Sequence, residues 1–177
     1  MVSAQDCCMT NSIEDRLLAI EDREAICRLM SDYAELCDSG YPVDEMMKLY
    51  DADGAAWVSN RLGEHYGMEA VAAYYATIGS VQVWARHYFL QPVIDITGDD
   101  ATSRWSVYAV TTQVGRDGGE NEPVLITATE HVSFRRTSAG WRFVRFDVDL
   151  HQISSLREGW VKEPFYADPG STGPSQG

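Results

Sequence analysis

Apolar residues recur at two spacings along this chain, and the change from one to the other divides it. Ile13, Leu17 and Ile20, then Ile26, Met30, Tyr33 and Cys37, return every three or four residues, the period of a helix. Ser12 with Asp15 predicts an N-terminal cap, and Asp22 is expected to cap a second helical segment. The pattern stops at Asp38-Ser39-Gly40, where glycine supplies a helix-ending conformation, so Asp38 falls in the last turn. Pro42 opens a short helix over 43–50. Residues 55–60 read as a strand and 61–67 as a polar loop carrying His65. Residues 67–79 read as a third helix, with Val71, Tyr74, Tyr75 and Ile78 on one side.

From residue 81 the texture is that of strands, at 81–97, 101–115, 123–137 and 140–153, joined by polar turns rich in glycine. Helices first and an antiparallel meander second predict an α+β domain with about three N-terminal helices on one face of a sheet. Strands this long exceed the usual length of about five or six residues. They predict a strongly curved antiparallel sheet, bulged and wrapped around the helices as a cone with an open mouth. Such a cone would be a pocket for a small hydrophobic ligand.

The 177 residues suit one domain, expected over 12–166, with a flexible arm at 1–11 and a disordered tail at 167–177. A net charge of −13 argues against phosphate backbones and anionic lipid surfaces as partners. No apolar run approaches the roughly 20 residues of a membrane span. The start, MVSAQDCCMTNSIEDR, lacks the basic and apolar regions of a secretory signal, so a cytoplasmic location is expected. Cys7, Cys8, Cys27 and Cys37 show no paired zinc spacing and are read as reduced thiols. Neither a phosphate loop, a nucleophile elbow nor a nucleotide fingerprint is present, and no cofactor or metal is expected.

Three places could carry chemistry. His87 sits early in the first long strand among aromatic and aliphatic neighbours, where the pattern alone reads it as a core residue. Glu130 and His131 are adjacent on the third strand and must face opposite ways. The company of Val132 and Phe134 favours Glu130 inward and His131 in solvent, unless a bulge inverts the parity. Asp147, Asp149 and His151 share one face of the last strand. They read as a polar edge rather than a metal site.

Several segments resemble the SnoaL-like branch of the NTF2-like superfamily. They are IEDREAICRLMSDYAELCDSG for its first helix, LYDADGAAW for its short helix and first strand, and GMEAVAAYY for the helix before the sheet. RHYFLQPVIDITGDDATSRWSV resembles its long hairpin, FRRTSAGWRFVRF its terminal hairpin, and REGWVKEPF the C-terminal segment of members near the dehydratases. The resemblance spans about residues 12–153. The family includes polyketide cyclases, scytalone and bile-acid-type dehydratases, a dehydrochlorinase, ketosteroid isomerases, epoxide hydrolases and non-catalytic binders, so fold alone does not assign a reaction.

In the dehydratase-type members a helix-borne aspartate orients a strand-borne histidine that removes a proton. The resemblance puts these roles on Asp38 and His87, and that of a tyrosine polarising or protonating the substrate oxygen on Tyr33. A neutral imidazole is a competent base at neutral pH, and a carboxylate on its other nitrogen fixes its tautomer. Tyr75, Trp57, Phe89, Glu130 and His131 are expected to bind substrate. The expected activity is a cofactor-independent dehydratase or cyclase acting on a polyketide-, terpenoid- or steroid-like molecule. The alternatives are an epoxide-opening cyclase or hydrolase using Glu130 and a tyrosine, and a non-catalytic module binding a small molecule or peptide. The superfamily also implies a homodimer or homotrimer, with Trp84, Tyr88 and Trp105 as candidates for an exposed pairing face.

Overall fold

A computed structural model describes residues 12–116 and 119–166. The arm and the tail expected at the two ends, with Cys7 and Cys8, lie outside the described residues. The elements run α1 (Ile13–Asp38), α2 (Val43–Met47), β1 (Ala56–Ser59), β2 (Gly63–Tyr66), α3 (Met68–Val81), β3 (Gln82–Thr97), β4 (Asp100–Gln113), β5 (Glu122–Thr137) and β6 (Gly140–Ser155).

Helix α1 begins with the capping box that Ser12 and Asp15 predict, each side chain bonded to the other's backbone N–H at 3.0 Å. It continues unbroken for 26 residues, so Asp22 caps nothing. Asp22 instead lies buried against the far end of the sheet. There it accepts two hydrogen bonds of 2.6 Å from the Arg136 guanidinium and one of 3.1 Å from the Trp141 indole. The Arg136 guanidinium, assisted by Trp141, overcomes the opposing effect of burial and holds the Asp22 carboxyl below its ordinary value. Arg136 also stacks 4.4 Å over the Trp141 ring. A carboxylate on this helix is tolerated inside only because the strand hairpin brings it a cation and an indole donor.

The six strands form one sheet in the order β2-β1-β6-β5-β4-β3. Here the structure corrects the expected cone. The sheet is mixed, because β1 lies parallel to β6, and it is open, because β2 and β3 are unpaired edges rather than neighbours. It is neither closed nor strongly curved. Strand length did not force closure, since the irregularities are local: register shifts at Leu90–Val93, Thr127–Ala128 and Ser133–Phe134 interrupt otherwise continuous ladders. At the first of these, Gln91 takes a φ of 53° just before Pro92, which has no N–H to give and is tolerated on an edge strand. The segment read as a polar loop is partly strand β2, whose His65 stacks on Tyr74 at 4.5 Å between ring centroids. Tyr74 in turn stacks on Trp57 at 4.0 Å.

The helices cover one face, and the core lies between them and the sheet, built on Ile26, Met30, Phe134, Phe143, Phe146 and Ile153. The register shifts in β6 change which residues point inward, so Phe143 is followed by Phe146, Val148 and Leu150, then Ile153. The outer face leaves Trp84 and Tyr88 half-exposed. Trp105, expected beside them, is buried against Phe89 on the inner face and cannot serve an outer interface.

Removing one partner of a buried ion pair strands the other, at a cost of about 3–5 kcal/mol. Asp22→Ala is therefore expected to lower the unfolding free energy by about 3 kcal/mol, read from urea denaturation. A change under about 1 kcal/mol would show that the clamp contributes no more than a surface pair.

Candidate active site

Between α1, α3 and the inner face of the sheet lies a cavity of about 70 Å³. Cavities of roughly 150 Å³ admit benzene, so a ring enters this one only as lining side chains part. Tyr33 and Cys37 of α1, Tyr75 of α3, Trp57 of β1, and His87 and Phe89 of β3 line it, with Glu130 of β5 on the sheet side.

The end of α1 meets the edge of β3 at one carboxylate. Asp38 Oδ1 accepts from the His87 backbone N–H at 3.0 Å and lies 2.8 Å from His87 Nδ1. Its Oδ2 accepts from Arg86 at 3.2 Å. Because β3 is an edge strand, the His87 N–H has no neighbouring strand to bond, and Asp38 supplies that acceptor. Burial opposes the charge on Asp38, but the His87 ring, Arg86 and the His87 backbone outweigh it and hold its carboxyl below the ordinary aspartate value. An ionised carboxylate only accepts, so Nδ1 carries the imidazole proton and the lone pair is on Nε2.

On the Nε2 side stands Tyr41, which the sequence reading missed. Its hydroxyl lies 3.3 Å from His87 Nε2 and donates to Gln82 Oε1 at 3.2 Å. Tyr41 is buried and has a φ of 57°, a left-handed conformation unusual for an aromatic residue. Neighbouring α3 holds it there: a Cβ on Gly79 would come within 2.9 Å of the Gly40 carbonyl and 3.5 Å of the Tyr41 Cβ. The signal in the sequence was a tyrosine between the helix-ending Gly40 and Pro42, in a turn position that glycine or asparagine usually fills. Strain of this kind gathers where geometry serves a site.

The remaining hydroxyls form a chain. Tyr50 and Tyr75 share a hydrogen bond of 2.6 Å, and Tyr75 donates to Tyr33 at 3.4 Å. Burial raises the pKa of Tyr33, Tyr41, Tyr50 and Tyr75 well above the ordinary tyrosine value, so all four are neutral donors. Burial likewise pushes the Glu130 carboxyl up to about 8, so it carries a proton at neutral pH.

Of the residues singled out from the sequence, His87, Tyr33, Tyr75, Trp57, Phe89 and Glu130 meet around this one cavity, with Asp38 behind His87. His131 does not. It is exposed on the opposite face of the sheet, as alternation with the inward Glu130 requires, and it is withdrawn as a ligand of this cavity. Asp147, Asp149 and His151 pair instead with Arg145, Asn60 and Thr129. Cys37, Gln82 and Gln113 line the cavity as well and were not foreseen as site residues.

The SnoaL-like domain family matches residues 18–147, and the chain belongs to that family. Solved structures agree in fold. A candidate aromatic ring hydroxylase from Novosphingobium aromaticivorans is 25% identical, with a TM-score of 0.66 over 77% of this chain and 94% of its own. A candidate scytalone dehydratase from the same organism is 18% identical, with a TM-score of 0.70 over 80% and 91%. The hexachlorocyclohexane dehydrochlorinase LinA-type3 from Novosphingobium barchaimii is 20% identical, with a TM-score of 0.67 over 82% and 94%. No curated protein sequence matches the chain significantly.

The protonated Glu130 carries a consequence for stability. An unfolded glutamate ionises near 4.5, whereas folded Glu130 keeps its proton to about 8. Between those values the folded state binds the extra proton, so its stability falls as pH rises. Glu130→Gln is expected to raise Tm, and by more at about pH 8 than at about pH 5. Equal shifts at the two pH values would show that Glu130 ionises normally in the folded protein.

Proposed function

We propose that this protein is a cofactor-independent acid/base enzyme that removes a proton from a compact, hydrophobic ring compound, with loss of water as the leading outcome. The observation that carries this reading is the Asp38–His87 pair at the cavity wall, with Nδ1 tied to the carboxylate and the Nε2 lone pair on the side of the lining residue Tyr41. Membership of a family that includes dehydratases and cyclases supports it, as does the fold shared with a candidate scytalone dehydratase and a dehydrochlorinase. The chemistry needs only groups that carry protons.

In the proposed dehydration His87 Nε2 takes a proton from the carbon next to a carbonyl. The C–H electron pair becomes the new double bond, and the adjacent C–O bond breaks. The departing hydroxyl receives the proton held by His87 and leaves as water, so His87 ends neutral. Asp38 stabilises the imidazolium that exists in between. Tyr41 accepts from its Nε2–H while donating to Gln82, a direction of hydrogen bonding the imidazolium requires. Tyr33, too deeply buried to ionise readily, polarises the substrate oxygen by donating a hydrogen bond. In a substrate with an internal carbonyl electrophile the C–H electron pair would instead form the new C–C bond, and the electrophile's oxygen would take the proton from His87.

Two assays test this. One follows proton abstraction from nitrobenzisoxazole, a general probe for a base in an apolar site. The other follows enone absorbance as a small β-hydroxy ketone loses water. His87→Ala is expected to lose about a hundredfold or more in both, and Asp38→Asn a comparable amount, with the fold intact by circular dichroism. Tyr41→Phe removes one hydrogen bond to a charged intermediate and is expected to cost about tenfold to a hundredfold. Near-normal turnover in His87→Ala would remove the mechanism.

A further inference from the structure

At about 70 Å³ the cavity is below the roughly 150 Å³ that holds benzene, so a wall must yield before a ring reaches the imidazole. One wall has space behind it. Between α1 and the edge strand β3 lies a surface groove of about 420 Å³, lined by Cys27, Met30 and Ser31 of the helix, Leu90 and Pro92 of the strand, and Trp105 of β4. Two residues line both volumes, His87 and Phe89. His87 is tied to Asp38 through its backbone and its ring. The Phe89 ring has no such tie.

Phe89 is also placed to move. Among the described residues it is the one phenyl, phenol or indole ring of the cavity lining that is only partly buried, whereas Tyr33, Tyr41, Trp57, Tyr74 and Tyr75 are buried. Its strand bonds β4 on one side alone, and that ladder breaks just beyond it, between Leu90 and Val93. A change of χ1 from one staggered well to another would carry the ring out of the partition. The far end of the cavity, at Leu62 and Ile153, is more firmly shut. There Ile153 donates to the Pro164 carbonyl at 2.9 Å, Ser154 donates to the same carbonyl at 3.0 Å, and the Arg61 guanidinium lies 3.8 Å over the Phe165 ring.

We propose that the groove between α1 and β3 is the entrance and outer compartment of the active site, and that Phe89 is the movable partition between it and His87. This rests on reading the cavity as the substrate site, and adds the route into that site and the side chain that sets the size it admits. With Phe89 turned aside, cavity and groove form one space. The reacting ring lies inside, and the rest of the substrate stays against Met30, Leu90 and Trp105. No carboxylate, lysine or arginine lines the groove, so the part held there is uncharged.

Thiol labelling tests the route without any turnover. Cys37 lines the inner cavity and is buried, so its reaction reports how often the cavity opens. The reporter chain carries Cys7→Ser, Cys8→Ser and Cys27→Ser, and labelling by methyl methanethiosulfonate is followed by mass spectrometry of the intact chain. Phe89→Ala is expected to speed labelling by about tenfold or more. Ser31→Trp, which fills the groove from its exposed rim, and Phe89→Trp, which thickens the partition, should each slow it by about threefold or more. Lost stability can only speed labelling, so slowing in the tryptophan variants separates a blocked route from a damaged fold. The benzyl reagent should lag the methyl one, and Phe89→Ala should narrow that gap by about threefold or more. Unchanged labelling in both tryptophan variants, or faster labelling in Phe165→Ala than in Phe89→Ala, would overturn the proposal. Because labelling needs no base, a failed partition and a failed assignment of His87 are read separately.

Discussion

One carboxylate holds two pieces of this fold together and orients the histidine of the candidate site in the same contact. Asp38 closes the last turn of α1, and His87 lies on an edge strand whose outward N–H would otherwise go unpaired. By accepting from both the backbone N–H and the ring of His87, Asp38 fixes the residue's position and its side-chain orientation together. A histidine bonded through its ring alone could swing with the strand. Here the strand and the ring answer to the same oxygen. The open edge of the sheet thus becomes the place where the helix can reach His87.

The surroundings of that contact are costly. The cavity gathers a protonated glutamic acid, a tyrosine in a left-handed backbone conformation, and hydroxyls too deeply buried to ionise. The first two oppose stability at neutral pH, and the aromatic core and the Asp22–Arg136–Trp141 clamp at the other end of the molecule offset them. This division is expected of proteins whose sites are held in unfavourable states by a firm scaffold.

Much of this was legible in the sequence, for identifiable reasons. Helical spacing found α1 through Tyr33 and Cys37, the capping pair at Ser12 found its start, and alternation put Glu130 inside and His131 outside. The failures were equally local. Asp22 carries every mark of a helix cap, and only the arrival of Arg136, 114 residues later, makes it an interior ion pair. The long strands suggested a curved and wholly antiparallel sheet. The parallel placement of β1 beside β6 is a long-range choice that no local pattern encodes. Tyr41 was invisible because its part depends on Gln82 and His87 arriving from β3, and on Gly79 letting α3 approach.

The unbroken course of α1 has one more effect. The same helix is clamped at Asp22 and presents Asp38 at its end, sixteen residues on, with no kink between to absorb movement. At about 1.5 Å per residue that is a lever of roughly 24 Å, and pivoting it by about 5° would carry the tip roughly 2 Å. The bond it must hold at the tip is 2.8 Å long. The orientation of His87 is therefore set partly from the opposite end of the molecule.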